Sequence, residues 1–288
     1  MNMQFRRLGL LSSLIVSLCM ISAANGVQAF TMLYHISNPG APDFSQYGFT
    51  ESFIVYEQFL YRSSDSRWKP VKDRRIEQQA RKIRQSLPVG GFVQIDIEGW
   101  HTTHGMSPDW IRESYRSTMA RIKAALPDYR VGYYRIVPVW AHWDMHQDPD
   151  IYDTWIHENT LRKPIANEVD VIYPALYTYH SDPKKWRKTA IAVLTRAREL
   201  AEGKPVIPFL WPRFHPSSDV GGKGKLLVPE SYWQMQLETV RQYADGLVLW
   251  NDGRTRLWSD NFPWWRATLR FLKQHFPERL PNTEGDVE

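Results

Sequence analysis

Seven short apolar runs, rich in β-branched and aromatic residues, recur along this chain: Thr31–Ile36, Phe53–Tyr56, Phe92–Ile97, Val131–Val137, Asp170–Tyr173, Pro205–Leu210 and Gly246–Trp250. Runs of this length and composition read as buried strands. Between them, apolar residues step by three or four, as Ile76/Ala80/Ile83/Leu87, Ile111/Tyr115/Met119/Ile122/Leu126 and Trp233/Leu237/Val240. That period belongs to a helix with one buried face. Ser107-Pro108-Asp109 and Val228-Pro229-Glu230 put a proline near a first turn with an acid after it, which marks a helix start. Parallel strands need long crossovers, so regular strand–helix alternation implies a parallel sheet. The predicted fold class is therefore α/β, and about 260 residues favour a closed TIM-like (β/α) barrel over an open sheet. Trp264-Trp265 with Leu269, Phe271, Leu272 and Phe276 predicts a last helix docked on that barrel.

The ends of the chain read differently from its middle. Met1 to Ala29 carries Arg6 and Arg7, an apolar run from Leu8 to about Ser22, and a small-residue end at Val27-Gln28-Ala29. This is the pattern of a cleaved secretory signal, and the run is too short and too serine-interrupted for a membrane span. The expected organisation is a signal peptide over 1–29, one catalytic barrel domain over 30–279 and a disordered polar tail over 280–288. The expected location is secreted or periplasmic, with no stable membrane anchor after cleavage. Cys19, the single cysteine, lies inside the signal, which excludes disulfides and thiol chemistry from the mature chain. The signal arginines supply two of the formal net charge of +5, and no Lys/Arg block remains that resembles a nucleic-acid patch. Gly221-Gly222-Lys223-Gly224-Lys225 lacks the strand-to-helix setting and the Gly-Lys-Ser/Thr ending of a phosphate loop, and reads as a mobile loop over the groove. The sequence leaves the oligomeric state open.

Barrel chemistry lies at the C-terminal ends of the strands. Here those ends carry Asp96, Glu98 and Trp100, then Tyr134 and Trp140, Tyr173 and Tyr177, Trp211 and His215, and last Trp250 and Asp252. Aromatic faces stack on the apolar faces of sugar rings, and carboxylates bond hydroxyls or move protons. The stretch "GFVQIDIEGW" (Gly91–Trp100) is apolar until two acids appear two positions apart. On a strand, residues i and i+2 share a face, so Asp96 and Glu98 enter one space, and two like charges held close force one pKa upward. Paired acids with divergent pKa values are the usual glycosidase device. A purely structural reading competes: the rings plug the barrel ends as core, Asp96 caps or salt-bridges, and Glu98 pairs with a neighbouring arginine.

Five stretches carry a more specific resemblance. "IDIEGW" resembles the D-W-E-x-W segment ending the third strand of the hyaluronidase family, glycoside hydrolase family 56, a distorted seven-stranded barrel. "RVGYYRIVP" (Arg130–Pro138), "VIYPALY" (Val171–Tyr177), "KPVIPFLWPRF" (Lys204–Phe214) and "YADGLVLWND" (Tyr243–Asp252) resemble four later strands in the family's order. The resemblance implies that Glu98 is the general acid/base, Asp96 its acidic partner, Tyr177 a substrate-positioning tyrosine and Trp250 a wall of the sugar pocket. It also implies a retaining reaction in which the substrate's own 2-acetamido oxygen is the nucleophile, with no cofactor. Glu98 would then hold the proton given to the leaving oxygen, and Asp96 would stay ionised. The chain departs from the family's pattern at Ile97, at Gly99 and at Phe214, which stands where the family has a tyrosine near the acetamido group. The expected partner is an N-acetylhexosamine-containing polysaccharide, contacted by Tyr177, Trp250, Trp100, Tyr134, Tyr173, Trp211, Phe214 and Asp252.

Two other readings stay open. His142-Trp-Asp-Met-His146, with Asp144 inside it, and His101/His104 offer imidazoles for a metal, as in a metal-dependent polysaccharide deacetylase. The chain also fits a non-catalytic exported carbohydrate-binding barrel.

Overall fold

A computed structural model describes residues 29–61, 70–100, 107–139, 145, 148–224, 226–253 and 256–281. It is a barrel of parallel strands wrapped by helices, the predicted fold class. Strands β1 (Thr31–Ile36), β2 (Thr50–Glu51), β3 (Phe53–Tyr56), β4 (Phe92–Asp96), β5 (Arg130–Tyr133), β6 (Phe209–Leu210) and β7 (Gly246–Asn251) pair only in parallel. The ladders β3-β4-β5 and β2-β1-β7-β6 are two arcs of the wall. Bridges from Tyr134 to Tyr173, Ile172 to Val206 and Ala175 to Phe209 join β5 to β6 through the segment around 171–175. On the other side Ser52 N–H donates to the Tyr34 carbonyl, and β2 runs into β3. The wall therefore closes on seven staves, with β2 and β3 forming one.

Two predicted strands are less regular than expected, and proline is the reason. Pro174, Pro205 and Pro208 have no N–H to give, so a continuous ladder cannot form. Their carbonyls still accept, from Phe209 N (2.7 Å), Ile172 N (2.9 Å) and Val248 N (2.8 Å) respectively, so the wall holds with one-way bonds. The strand expected over Val131–Val137 ends at Tyr134, because Arg135 turns the chain with φ of 50°.

Period-two alternation sorts each strand into two cores. Val93, Ile95 and Ile97 of the β4 stretch face outward into the layer beneath the helices, with Val131, Leu247 and Leu249. Phe92 faces inward with Leu33, Ile54, Tyr134, Val171, Tyr173, Ile207, Phe209 and Val248, which fill the barrel interior. A Cβ on Gly132 would stand 2.1 Å from the Val171 carbonyl and 2.8 Å from the Tyr173 ring, so only glycine lets that ring lie across the barrel.

The helices are α1 (Glu57–Leu60), α2 (Asp73–Ser86), α3 (Pro108–Ala125), α4 (Pro149–Leu161), α5 (Lys163–Glu168), α6 (Pro183–Ala201), α7 (Glu230–Tyr243) and α8 (Pro263–His275). The stripes read on α2, α3 and α7 are buried apart from the half-buried Ile111, and Trp264 and Trp265 dock α8. Ser107 caps α3 by accepting from Trp110 N–H, as its position before Pro108 implied. Helices α4, α5 and α6 were not among the expected elements. Ala190, Ala197 and Ala201 lie on the buried face of α6 and give little apolar contrast against its many charges. No helix among the described residues is long and apolar enough to cross a membrane.

Candidate active site

The inward face of β4 runs Phe92, Gln94, Asp96 and, past the strand end, Glu98, so alternation delivers both acids to the C-terminal mouth of the barrel. Three contacts fix the turn that follows. Tyr115 OH of α3 donates to the Ile97 carbonyl at 2.7 Å. The Glu57 carboxylate, at the start of α1, accepts from the backbone N–H of Glu98 (3.1 Å) and of Gly99 (2.6 Å). A Cβ at residue 99 would stand 2.4 Å from the other Glu57 oxygen, so Gly99 is what lets that carboxylate approach. The bulkier acid of the family pattern has no room here.

The two acids meet unlike surroundings. Burial, reinforced by the charge of Glu98 and opposed by Arg135, pushes the Asp96 carboxyl up to about 7. Its Oδ1 is buried and has no hydrogen-bond partner among the described residues. Glu98 is half exposed, and its Oε1 accepts from Arg135 Nη1 at 2.6 Å in an ion pair. Burial thus favours a proton on Asp96, the acid expected to stay ionised. The reading of Glu98 as paired with an arginine is realised, with Arg135 as the partner. Arg135 reaches Glu98 from a left-handed backbone position whose N–H donates to the Tyr173 carbonyl.

Around the acids lies a cavity of about 230 Å³. Its aromatic walls are Tyr134, Tyr177, Trp211 and Trp250, with Tyr56 and His215 beside them. Tyr177 and Trp250 are stacked, with ring centres 5.8 Å apart and planes 25° off parallel, and Trp211 lies 5.3 Å from Trp250 at 69°. Trp250 Nε1 donates to Tyr56 OH at 3.3 Å, which sets the indole plane. Tyr134 and Tyr177 hydrogen-bond to one another, and burial pushes both phenols upward.

Six of the ten expected site residues, Asp96, Glu98, Tyr134, Tyr177, Trp211 and Trp250, thus line one cavity. Four do not. Trp100 is fully buried edge-on against Tyr115 (4.7 Å), Tyr61 and Trp110, where it wedges the β4 turn onto α3. Tyr173 is fully buried in the barrel interior against Phe209. Phe214 is turned into the outer core, 6.2 Å from Tyr232. Asp252 is exposed beyond β7 and outside the cavity lining. For Trp100, Tyr173 and Phe214 the core reading holds: an aromatic ring beside a strand end is buried by the nearest apolar layer unless the chain turns it toward the mouth.

Sequence reasoning assigned no role to Tyr56, Arg135 or His215, which also line the cavity. Tyr56 ends an expected strand, and that position was its signal. Arg135 was hidden by reading the strand through to Val137, and His215 was noted at a strand end without a role. Trp140, His101, His104, His142, Asp144 and His146 lie outside the described residues. Among the described residues, no group of three or more His, Cys, Asp or Glu side chains is placed to hold a metal ion.

Comparison with known proteins supports the fold. No protein-family model and no curated protein matches the sequence. Among solved structures, the chain is similar to bee venom hyaluronidase, with a TM-score of 0.59 and 14% identity over 87% of this chain and 99% of the other. It is similar as well to bee venom hyaluronidase in complex with a hyaluronic acid tetramer, with a TM-score of 0.56 and 14% identity over 85% and 95% of the two chains. What this chain shares with those structures is the fold, a TIM-like barrel.

Proposed function

We propose that this protein is a glycoside hydrolase that cleaves an N-acetylhexosamine-containing polysaccharide with retention, through attack by the substrate's own acetamido oxygen. The observation that carries the reading is the placement of both acids on one strand. Retaining enzymes that use a carboxylate nucleophile need a second carboxyl about 5–5.5 Å away, flanking the scissile bond with the first. Among the described residues lining this cavity, Asp96 and Glu98 are the only carboxylates, two positions apart on one face, and aromatic rings form the opposing wall. A nucleophile supplied by the substrate, as the motif resemblance implies, fits a pair carried on one side of the cavity. The barrel shared with bee venom hyaluronidase and the ordered motif resemblance support the same reading.

In this reading the roles are as follows. Trp250, Tyr177 and Trp211 receive one sugar face, since the cavity is below the ~300–1,000 Å³ of sites that enclose drug-sized ligands. Glu98, at the open edge, reaches the glycosidic oxygen. One proton serves the acid pair. It rests on buried Asp96, and positive charge growing on the acetamide favours an ionised Asp96, which leaves the proton for Glu98 to donate. Arg135 holds the Glu98 carboxylate at the mouth until then. Export to the periplasm or medium fits the polymeric substrate and rests on the N-terminal pattern alone.

The test is product release by the mature protein from hyaluronan, chondroitin, chitin oligomers, peptidoglycan and a glucan without acetamido groups. Cleavage confined to acetamido polymers, with the β or α configuration retained in the first-formed product, is expected. Glu98→Gln should lower turnover roughly 10²–10⁴-fold while keeping oligosaccharide binding. Cleavage of the plain glucan, or full activity in Glu98→Gln, would overturn the reading; acetate release abolished by a chelator would favour the deacetylase.

A further inference from the structure

We infer that His215 is a specificity-determining contact, an uncharged hydrogen-bond donor whose Nε2–H holds the carbonyl oxygen of the substrate's N-acetyl group. The inference rests on the function proposed above and names a residue for which neither the motif resemblance nor the fold supplies a role.

His215 lines the cavity beside Glu98, Arg135 and Trp250. Its loop is pinned: the His215 N–H donates to the Thr178 carbonyl at 2.8 Å, and Ser218 N–H donates to the His215 carbonyl at 2.9 Å. The ring packs 4.2 Å from Tyr179 and is stacked with Tyr177 at 6.4 Å, so it cannot swing freely. The tautomer follows from one bond. Ser217 N–H donates to His215 Nδ1 at 3.1 Å, so in the neutral ring Nδ1 carries no proton and Nε2 carries one. Burial and the positive Arg135 push the imidazole down to about 4, so the ring is neutral where exported enzymes work.

Most other polar groups in the lining are committed or are acceptors. Glu98 is an acceptor paired with Arg135, Asp96 holds the proton that the reaction moves, Trp250 donates to Tyr56, and one hydrogen bond joins Tyr134 to Tyr177. Trp211 Nε1–H has no partner among the described residues, yet it is sealed from the surface. His215 Nε2 has no hydrogen-bond partner among the described residues and lies on a half-buried ring in the lining. A neutral donor of this kind donates to an amide oxygen. It offers nothing to an ammonium, which the two acids alone would welcome. The cavity thereby distinguishes an acetylated from a free amino sugar, and Phe214 can be given to the core because the donor comes from the next residue.

The test uses calorimetric binding to Glu98→Gln protein, which separates recognition from turnover. The probes are hyaluronan and chitin oligosaccharides and the same chains after removal of their acetyl groups. The Glu98→Gln protein should prefer an acetylated chain. Adding His215→Phe, which keeps the stacked ring, should cut affinity for that chain roughly tenfold and leave the free-amine form and the melting temperature unchanged. Adding His215→Gln, which restores an N–H at similar reach, should recover most of the loss. Equal affinity for both forms, no binding of either, or an undiminished preference in the His215→Phe protein would overturn the assignment. Wild-type turnover on acetamido polymers, measured separately, shows whether the underlying function fails instead.

Discussion

Replacing Asp96 with asparagine should change how the stability of this protein depends on pH. The native carboxyl titrates at about 7, because it is buried beside Glu98, whereas its ordinary value is 3.8. Below pH 3.8 the group is protonated in both the folded and unfolded chain and opposes nothing. Between the two values the unfolded chain releases a proton that the folded chain keeps, so wild-type stability falls as pH rises, and the loss is complete above about 7. About three pH units at about 1.4 kcal/mol each give roughly 4 kcal/mol as the scale of the effect. The asparagine side chain has nothing to titrate. The difference in unfolding free energy, Asp96→Asn minus wild type, should therefore grow by several kcal/mol between pH 4 and pH 8, with most of the rise between pH 4.5 and 7. Urea melts of both proteins at five pH values measure it directly, provided the slopes with denaturant agree. A difference that stays flat within about 0.5 kcal/mol would mean that Asp96 is solvated or paired in solution, and the argument for a resting proton on Asp96 would fall with it.

Trp100→Ala should act on stability, costing about 3–5 kcal/mol in denaturant melts through the void left beside Tyr115, whereas Trp250→Ala should mainly raise KM by several-fold to about tenfold through lost stacking. The reverse pattern would put Trp100 in the sugar site. Gly99→Ala drives a methyl group into the Glu57 carboxylate and should cost about 1–3 kcal/mol. It should also depress kcat more than KM, because the Glu98 backbone loses its anchor; steady-state kinetics with an unchanged kcat would show that the Glu57 contact does not position Glu98.

Much of the frame was legible because it depends on local alternation. The Phe92, Gln94, Asp96, Glu98 series could be placed on one face from spacing alone, and the barrel interior confirms that face. Less legible was anything set by a partner far away in sequence. Whether Trp100 or Trp250 faces sugar depends on Tyr115 and Tyr56, respectively, which the chain brings together only on folding. The pairing of Arg135 with Glu98 needed a positive φ that no residue pattern announced, since arginine is not a turn former. The proline-broken staves were predicted as strands and serve as strands, although Pro174 and Pro208 deny them a regular ladder. Helix α6 was missed altogether, because the alanines on its buried face give no apolar stripe to read.

A single stave carries both acids, which has a bearing on how such a site tolerates motion and change. Their backbone separation is set by two peptide units, and the contacts of Tyr115 and Glu57 hold the turn that carries Glu98. When the barrel breathes, the acids travel together, and what varies is their distance from the aromatic wall borne by other staves. The wall can be rebuilt for another sugar, one stave at a time, while the reactive couple is inherited whole.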